Sequence, residues 1–145
     1  MKVFIVDGSG AGKYAIVTVG PEYILDETVI HSDGTSNELE YKAVIYGMHH
    51  ATNSDYIVSD SRLVVRQLKG LYKVKAGNLK PLFNEAKKLS SKKQIRLLWA
   101  DRYFTSPADS LMRYGEMRPE DYHIARIVYC LIAHGFEHVL KSKRF

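Results

Sequence analysis

Carboxylates placed at the ends of apolar runs are the residues of this sequence most able to do chemistry. Asp7 follows the run Val3-Phe4-Ile5-Val6 and is followed by Gly8, Ser9, Gly10 and Gly12. A short unbroken apolar run bounded by turn residues reads as a fully buried strand. A carboxylate at its exit is costly to bury unless it is paired or binds a metal. The plainer alternative is an Asp-Gly turn. Asp60 closes a second such run, Tyr56-Ile57-Val58-Ser59. That is where ligands bind in open α/β sheets, although an Asp ahead of a helix is also a routine N-cap. Glu40 stands one turn before Val44 in a helical pattern, where its carboxylate can point back at a strand end or lie solvated near the helix dipole. Asp109 falls in a short helix that Pro107 opens at its first position.

The elements that must position these groups follow from period and punctuation. Residues 14–19 and 23–30 read as two further strands, separated by Gly20-Pro21. Short turns join all three strands, which makes an antiparallel meander. Thr35-Ser36-Asn37-Glu38 is a capping-box pattern, and Leu39, Ala43, Val44, Met48 and Ala51 then share one helical face. A strand at 56–59, a helix from Ser61 carrying Val64, Val65, Leu68 and Leu71, and a strand at 94–100 imply a right-handed parallel crossover. Between them, Leu79, Leu82, Phe83, Ala86 and Leu89 give the stretch 69–96 a buried helical face. Glu85 is the sole acid of that stretch. Its lysines are therefore either a solvated side or a phosphate-backbone surface. The expected fold is α/β, a mixed five-stranded sheet with an antiparallel meander of strands one to three, parallel strands one, four and five, and helices on both faces.

At 145 residues the chain suits one domain with a proper core. Its formal net charge of +5 fits a polyanionic partner without requiring one. Cys130 is the single cysteine, which excludes an intrachain disulfide or a cysteine zinc site. Within an apolar helical pattern it is expected as a core filler. No apolar run approaches membrane-spanning length and no secretory leader is read, so a cytoplasmic setting without membrane partners is expected.

In order along residues 2–111, these pieces resemble the type 1 ribonuclease H family. IVDGSG is similar to its first catalytic strand, and TSNELEYKA to its Thr-Asn-Asn-x-x-Glu helix start. IVSDSRLVVRQLKGLYKV resembles its strand-Asp-Ser segment with the helix after it, and RYFTSPADSL its Arg-x-x-Asn-x-x-Ala-Asp stretch. The resemblance implies an RNase H-like catalytic domain over residues 1–115. It carries the catalytic, metal-binding acids onto Asp7, Glu40, Asp60 and Asp109. It implies an endonuclease that hydrolyses the RNA strand of RNA–DNA hybrids with two Mg²⁺ ions, Mn²⁺ being a substitute. Asp7 would bridge, with Glu40 and Asp60 on one ion and Asp109 on the other. Substrate contacts are expected at Gly8, Ser9, Thr35, Ser36, Asn37, Ser61 and Arg62, and at Lys73 and Lys75 of the basic stretch. The chemistry agrees, since clustered carboxylates repel and hard divalent cations relieve them. Two such ions can activate a water and stabilise the leaving 3′-oxygen of an in-line displacement.

The match departs at Ser36, Arg62 and Thr105, where the family has Asn, often Gln, and Asn. Where its mobile histidine usually stands, the chain has Asp101, Arg102 and Tyr103. His123 is a candidate substitute shuttle. The alternatives are an RNase H-fold nuclease acting on DNA, or a nucleic-acid-binding module with little turnover. Residues 116–145 lie beyond the resemblance. Pro119-Glu120-Asp121 starts a helix that Gly135 stops, with Ile124, Ile127, Val128, Leu131 and Ile132 on one apolar face. That face is expected to dock on its own domain as a C-terminal helical extension. No heptad is sustained, so a monomer is expected.

Overall fold

The computed structural model describes residues 1–9 and 11–142. Strands β1 (Val3–Ser9), β2 (Lys13–Val19) and β3 (Ile24–His31) form the meander, and α1 (Ser36–His50) leads to β4 (Tyr56–Ser59). Helices α2 (Arg62–Leu68) and α3 (Lys80–Lys92) precede β5 (Arg96–Trp99). The described chain closes with α4 (Ser106–Tyr114), α5 (Pro119–Ala133) and a 3₁₀ turn (Glu137–Lys141). The strands make one sheet in the order β3-β2-β1-β4-β5. β1 pairs antiparallel with β2 and β2 with β3, while β1–β4 and β4–β5 are parallel. The mixed α/β sheet expected above is the one observed.

Alternation along β1 builds two cores at once. Val3 and Ile5 pack with Ala108 and Leu111 of α4 and with Ile124, Val128 and Ile132 of α5. Phe4 and Val6 pack on the opposite face with Val44 and Met48 of α1, Val64 of α2 and Ala86 of α3. A central strand covered on both sides has no solvent face, which is why its sequence runs apolar without a break. Among the described residues no helix is long and apolar enough to cross a membrane.

Three side chains expected in the core lie outside it. Leu71 is 70% exposed, because α2 stops at Leu68 and Gly70 turns the chain at φ +78. Ile127 is 42% exposed, since α5 buries the stripe Asp121, Ile124, Ala125, Val128, Tyr129 and Ile132 instead. Cys130, expected as a core filler, is exposed for the same reason. β1 also continues through Gly8 and Ser9, where the sequence suggests a turn, and α4 begins at Ser106 rather than Pro107.

Helix α1 lies against the sheet at two glycines. A Cβ on Gly8 would fall 2.5 Å from both the Glu40 backbone nitrogen and the Leu39 carbonyl carbon. Backbone cannot yield there, so glycine is required for proximity rather than for its torsion angles. A Cβ on Gly47 would meet Ile57 Cδ1 at 3.3 Å, the end of a side chain that can shift. Gly8→Ala is therefore expected to cost about 1–3 kcal/mol through overpacking and to lower the thermal midpoint by about 5 °C or more. Gly47→Ala should shift it less, and equal midpoints for the two variants in a thermal melt would contradict this packing.

Candidate active site

Register brings the first two acids level. Ile5 pairs with Val58 across the parallel ladder, so Asp7 and Asp60, two residues further along each chain, lie side by side at the carboxyl end of the sheet. Glu40 reaches them from α1, whose start is fixed by a complete capping box between Thr35 and Glu38. The Gly8 amide lies 3.0 Å from Glu40 Oε1 and 3.0 Å from Asp7 Oδ1, donating between the two carboxylates. Asp7, Glu40 and Asp60 each offer an oxygen within 4.8 Å of the others.

Two of the three carboxyls are largely buried. Asp7 is 7% and Glu40 9% exposed, and Glu40 Oε2 is buried with no hydrogen bond from the protein. Asp60 is steadied on two sides, its Oδ2 accepting from the Thr105 hydroxyl at 3.1 Å and its carbonyl from Trp99 Nε1 at 3.0 Å. Asp109 lines the same cleft but stands outside the trio, its Oδ1 accepting from Arg113 Nε at 3.0 Å one turn later on α4.

Burial raises all three clustered carboxyls. It pushes Asp7 up to about 10, with the charges of Asp60 and Glu40 adding to it. Burial also raises Glu40, to about 7, against opposing hydrogen bonds from Asp7 and the Gly8 amide. Asp60 is raised by burial too, though the Thr105 hydroxyl and the Arg102 charge hold it back. An all-oxygen donor set with one orphaned buried oxygen and protons held against their ordinary release fits a hard divalent cation.

The cleft measures about 580 Å³ and includes Gly8, Ser9 and Ser36 among its lining residues, with Lys13, Arg102 and Arg113 bringing positive charge. The other substrate-contact candidates lie outside that lining. The Thr35 and Ser61 hydroxyl oxygens cap α1 and α2, accepting from Glu38 N and Val64 N at 3.2 Å each, and Asn37 is exposed beside Thr35. Arg62 stacks on Trp99, its guanidinium carbon 4.5 Å from the ring centroid. Lys73 and Lys75 border a second hollow of about 370 Å³ with Leu63, Leu71 and Tyr72.

A family model described as reverse transcriptase-like matches residues 7–115. The N-terminal RNase H domain of a Mycobacterium tuberculosis protein, solved as a fusion with maltose-binding protein, is 30% identical, with a TM-score of 0.67 over 81% of this chain and 98% of that one. The chain belongs to the type 1 ribonuclease H family. Two more distant structures share the ribonuclease H fold. LC11-RNase H1, solved in complex with an RNA/DNA hybrid, is 22% identical with a TM-score of 0.70 over 81% of this chain and 96% of that one. RNase H1 from the halophilic archaeon Halobacterium salinarum is 22% identical, at 0.69 over 76% and 92%.

Within the ribonuclease H frame, Lys13 and Arg113 are the cations of the cleft that sequence reading does not single out. Arg102 lies in the loop three residues past the end of β5. Arg113 is four residues after Asp109, and Lys13 pairs with Ser9 across the first hairpin. His123 is exposed on α5 and is not among the residues lining the cleft. Of Asp101, Arg102 and Tyr103, expected where the family usually has a histidine, Arg102 lines the cleft.

The raised carboxyls set a pH dependence. Asp7 and Glu40 have folded values above their unfolded ones, so the native state binds more protons between about pH 4 and 10. Their stabilising contribution is complete below about pH 4 and is lost as pH rises through about 7 for Glu40 and about 10 for Asp7. The metal-free protein is expected to melt at a lower temperature at about pH 9 than at about pH 5, and Asp7→Asn should flatten that slope. A wild-type midpoint that climbs with pH over this range would refute the assignment.

Proposed function

We propose that this ribonuclease H family member is a divalent-metal-dependent endonuclease that hydrolyses the RNA strand of RNA–DNA hybrids. The observation that carries the reading is the set of three carboxylates from β1, α1 and the end of β4, gathered within 4.8 Å at one cleft. The RNA/DNA hybrid held by LC11-RNase H1, a protein of the same fold, supports the substrate class. Asp7, Glu40, Asp60 and Asp109 would hold magnesium, with manganese as a substitute. Bound there, the ions supply charge neutralisation at the scissile phosphate and an activated water for an in-line displacement.

The chain's own residues do the rest. The Gly8 amide orients Asp7 and Glu40 together, and Thr105 fixes Asp60. Lys13, Arg102 and Arg113 draw the phosphate into an otherwise anionic cleft. Arg102 brings a planar guanidinium, suited to a phosphate, to the region where the family usually has its histidine. Ser36 and Ser9 offer hydroxyls at the rim, and Thr35 and Asn37 lie just outside it. Arg62 on Trp99, with Lys73 and Lys75, extends the basic surface beyond the cleft toward the flanking backbone.

Two measurements test this. The purified protein with Mg²⁺ or Mn²⁺ should cut an RNA–DNA hybrid and leave matched double-stranded RNA and double-stranded DNA intact. Asp7→Asn should abolish the cutting while the protein stays folded. Preferential cleavage of DNA, or binding without turnover, would replace the reading with a DNA nuclease or a binding module. Replacing Lys73, Lys75 and Lys80 by Ala should weaken hybrid binding and flatten its log–log salt dependence by roughly 0.7–0.9 for each phosphate no longer neutralised. These lysines lie outside the cleft, so the maximal rate should hardly move. An unchanged salt slope would move the backbone-binding surface elsewhere.

A further inference from the structure

We propose that the C-terminal segment acts as a positioning device for the candidate site, through the loop 101–106; the idea rests on the nuclease reading above. That stretch runs from Asp101, just past β5, to Ser106, the first residue of α4, and carries much of the site. It presents Arg102 to the cleft, sets the Thr105 hydroxyl against Asp60, and delivers Asp109 in the first turn of α4. Its two ends are tied to residues far along the chain. The Asp101 amide donates to the Leu140 carbonyl at 2.7 Å. The Ser106 hydroxyl donates to Asp121 Oδ1 at 2.9 Å.

Both anchors are firm. Asp121 and Leu140 are 0% exposed. Asp121 Oδ2 accepts from the Arg118 amide at 2.9 Å and has Arg118 Nε at 3.6 Å, so its place is already fixed by the cap of α5. Capping needs only that oxygen. The other reaches across to α4, accepting from the Ser106 hydroxyl in a directional bond. The opposite end of the segment repeats the device through a backbone carbonyl. Asp121 and Leu140 lie beyond residue 115, where the family match ends. The consequence is that Thr105, itself 0% exposed, and Asp109 take their positions from a part of the chain that contributes no side chain to the cleft lining. Asp121, Ser106 and Leu140 are thus positioning residues, acting on Asp60 through Thr105 and on Asp109 through the first turn of α4.

The test uses full-length Ser106→Ala and Ser106→Thr, followed by three readings: hybrid-cleavage kinetics well below the melting temperature, Mn²⁺ binding by calorimetry, and the thermal midpoint. Ser106→Ala is expected to lower kcat about tenfold, within the roughly hundredfold that a misplacement of about 1 Å can cost. It should leave KM for the hybrid unchanged, weaken Mn²⁺ binding several-fold and barely shift the midpoint. Ser106→Thr keeps the hydroxyl and should recover most of both losses. Wild-type kcat and Mn²⁺ affinity in Ser106→Ala, or no recovery in Ser106→Thr, would overturn the proposal. Should Ser106→Ala not fold, Ser106→Cys fills much the same space with a weak donor and is judged by the same readings. If the wild-type protein cuts no hybrid, the nuclease reading fails, and the Mn²⁺ comparison still decides whether the segment positions the acids.

Discussion

The burial of Asp7, Glu40 and Asp60 side by side is the constraint around which this fold is arranged. Each would be stabler apart and in water, yet their oxygens are held within 4.8 Å, with Asp7 and Glu40 largely buried. Every element nearby helps to enforce that closeness. The parallel pairing of β1 with β4 sets Asp7 beside Asp60. Gly8, with no room for a side chain, lets α1 come close enough to add Glu40. The two packed cores on either face of β1 make the arrangement rigid, so the acids cannot relax by drifting apart. What remains is to keep protons or to take up a cation, and the raised carboxyls show the first of these in the metal-free state.

Charge is divided across the cleft in a way that suits a nucleic acid. The acids occupy its floor, where β1, β4 and α1 converge, and Lys13, Arg102 and Arg113 stand around them. Arg113 already holds Asp109 in an ion pair, 66% and 37% exposed on its two sides. So exposed a pair is weak and can exchange its partner for a cation at little cost. Outside the cleft, Arg62 lies over Trp99 and Arg66 over Tyr72, which places guanidinium charge on aromatic platforms rather than on free side chains.

Some of this was legible in the sequence and some was not, for physical reasons. The meander, the crossover and the bounds of β4 could be read because apolar period and turn residues agree there. The capping box at Thr35 and Glu38 could be read because it is local, and both of its bonds form. Asp7 and Asp60 were visible as polar residues ending buried runs, and Glu40 from its distance to a buried Val44. Asp109 was visible chiefly through family resemblance, since on a helix an acid beside an arginine four residues on is unremarkable. Helix α5 misled. Its spacing permits two overlapping apolar stripes, and only contact with the sheet selects the one that buries Ala125 and Tyr129 and exposes Ile127 and Cys130. The ties from Asp121 and Leu140 to residues 101–106 were out of reach, because tertiary contacts over 15 residues or more leave no local pattern.

If the clustered acids form a divalent-cation site, a metal ion entering it must displace their protons. Mg²⁺ or Mn²⁺ can be titrated into the protein at about pH 7 by calorimetry in buffers of different ionisation enthalpy. Metal replaces protons on carboxyls that hold them near neutrality, so uptake by the wild-type protein should release about one proton or more. In Asp7→Asn both the uptake and the release should be largely lost. Binding with no proton release, or no binding at millimolar metal, would show that these acids are not a divalent-cation site.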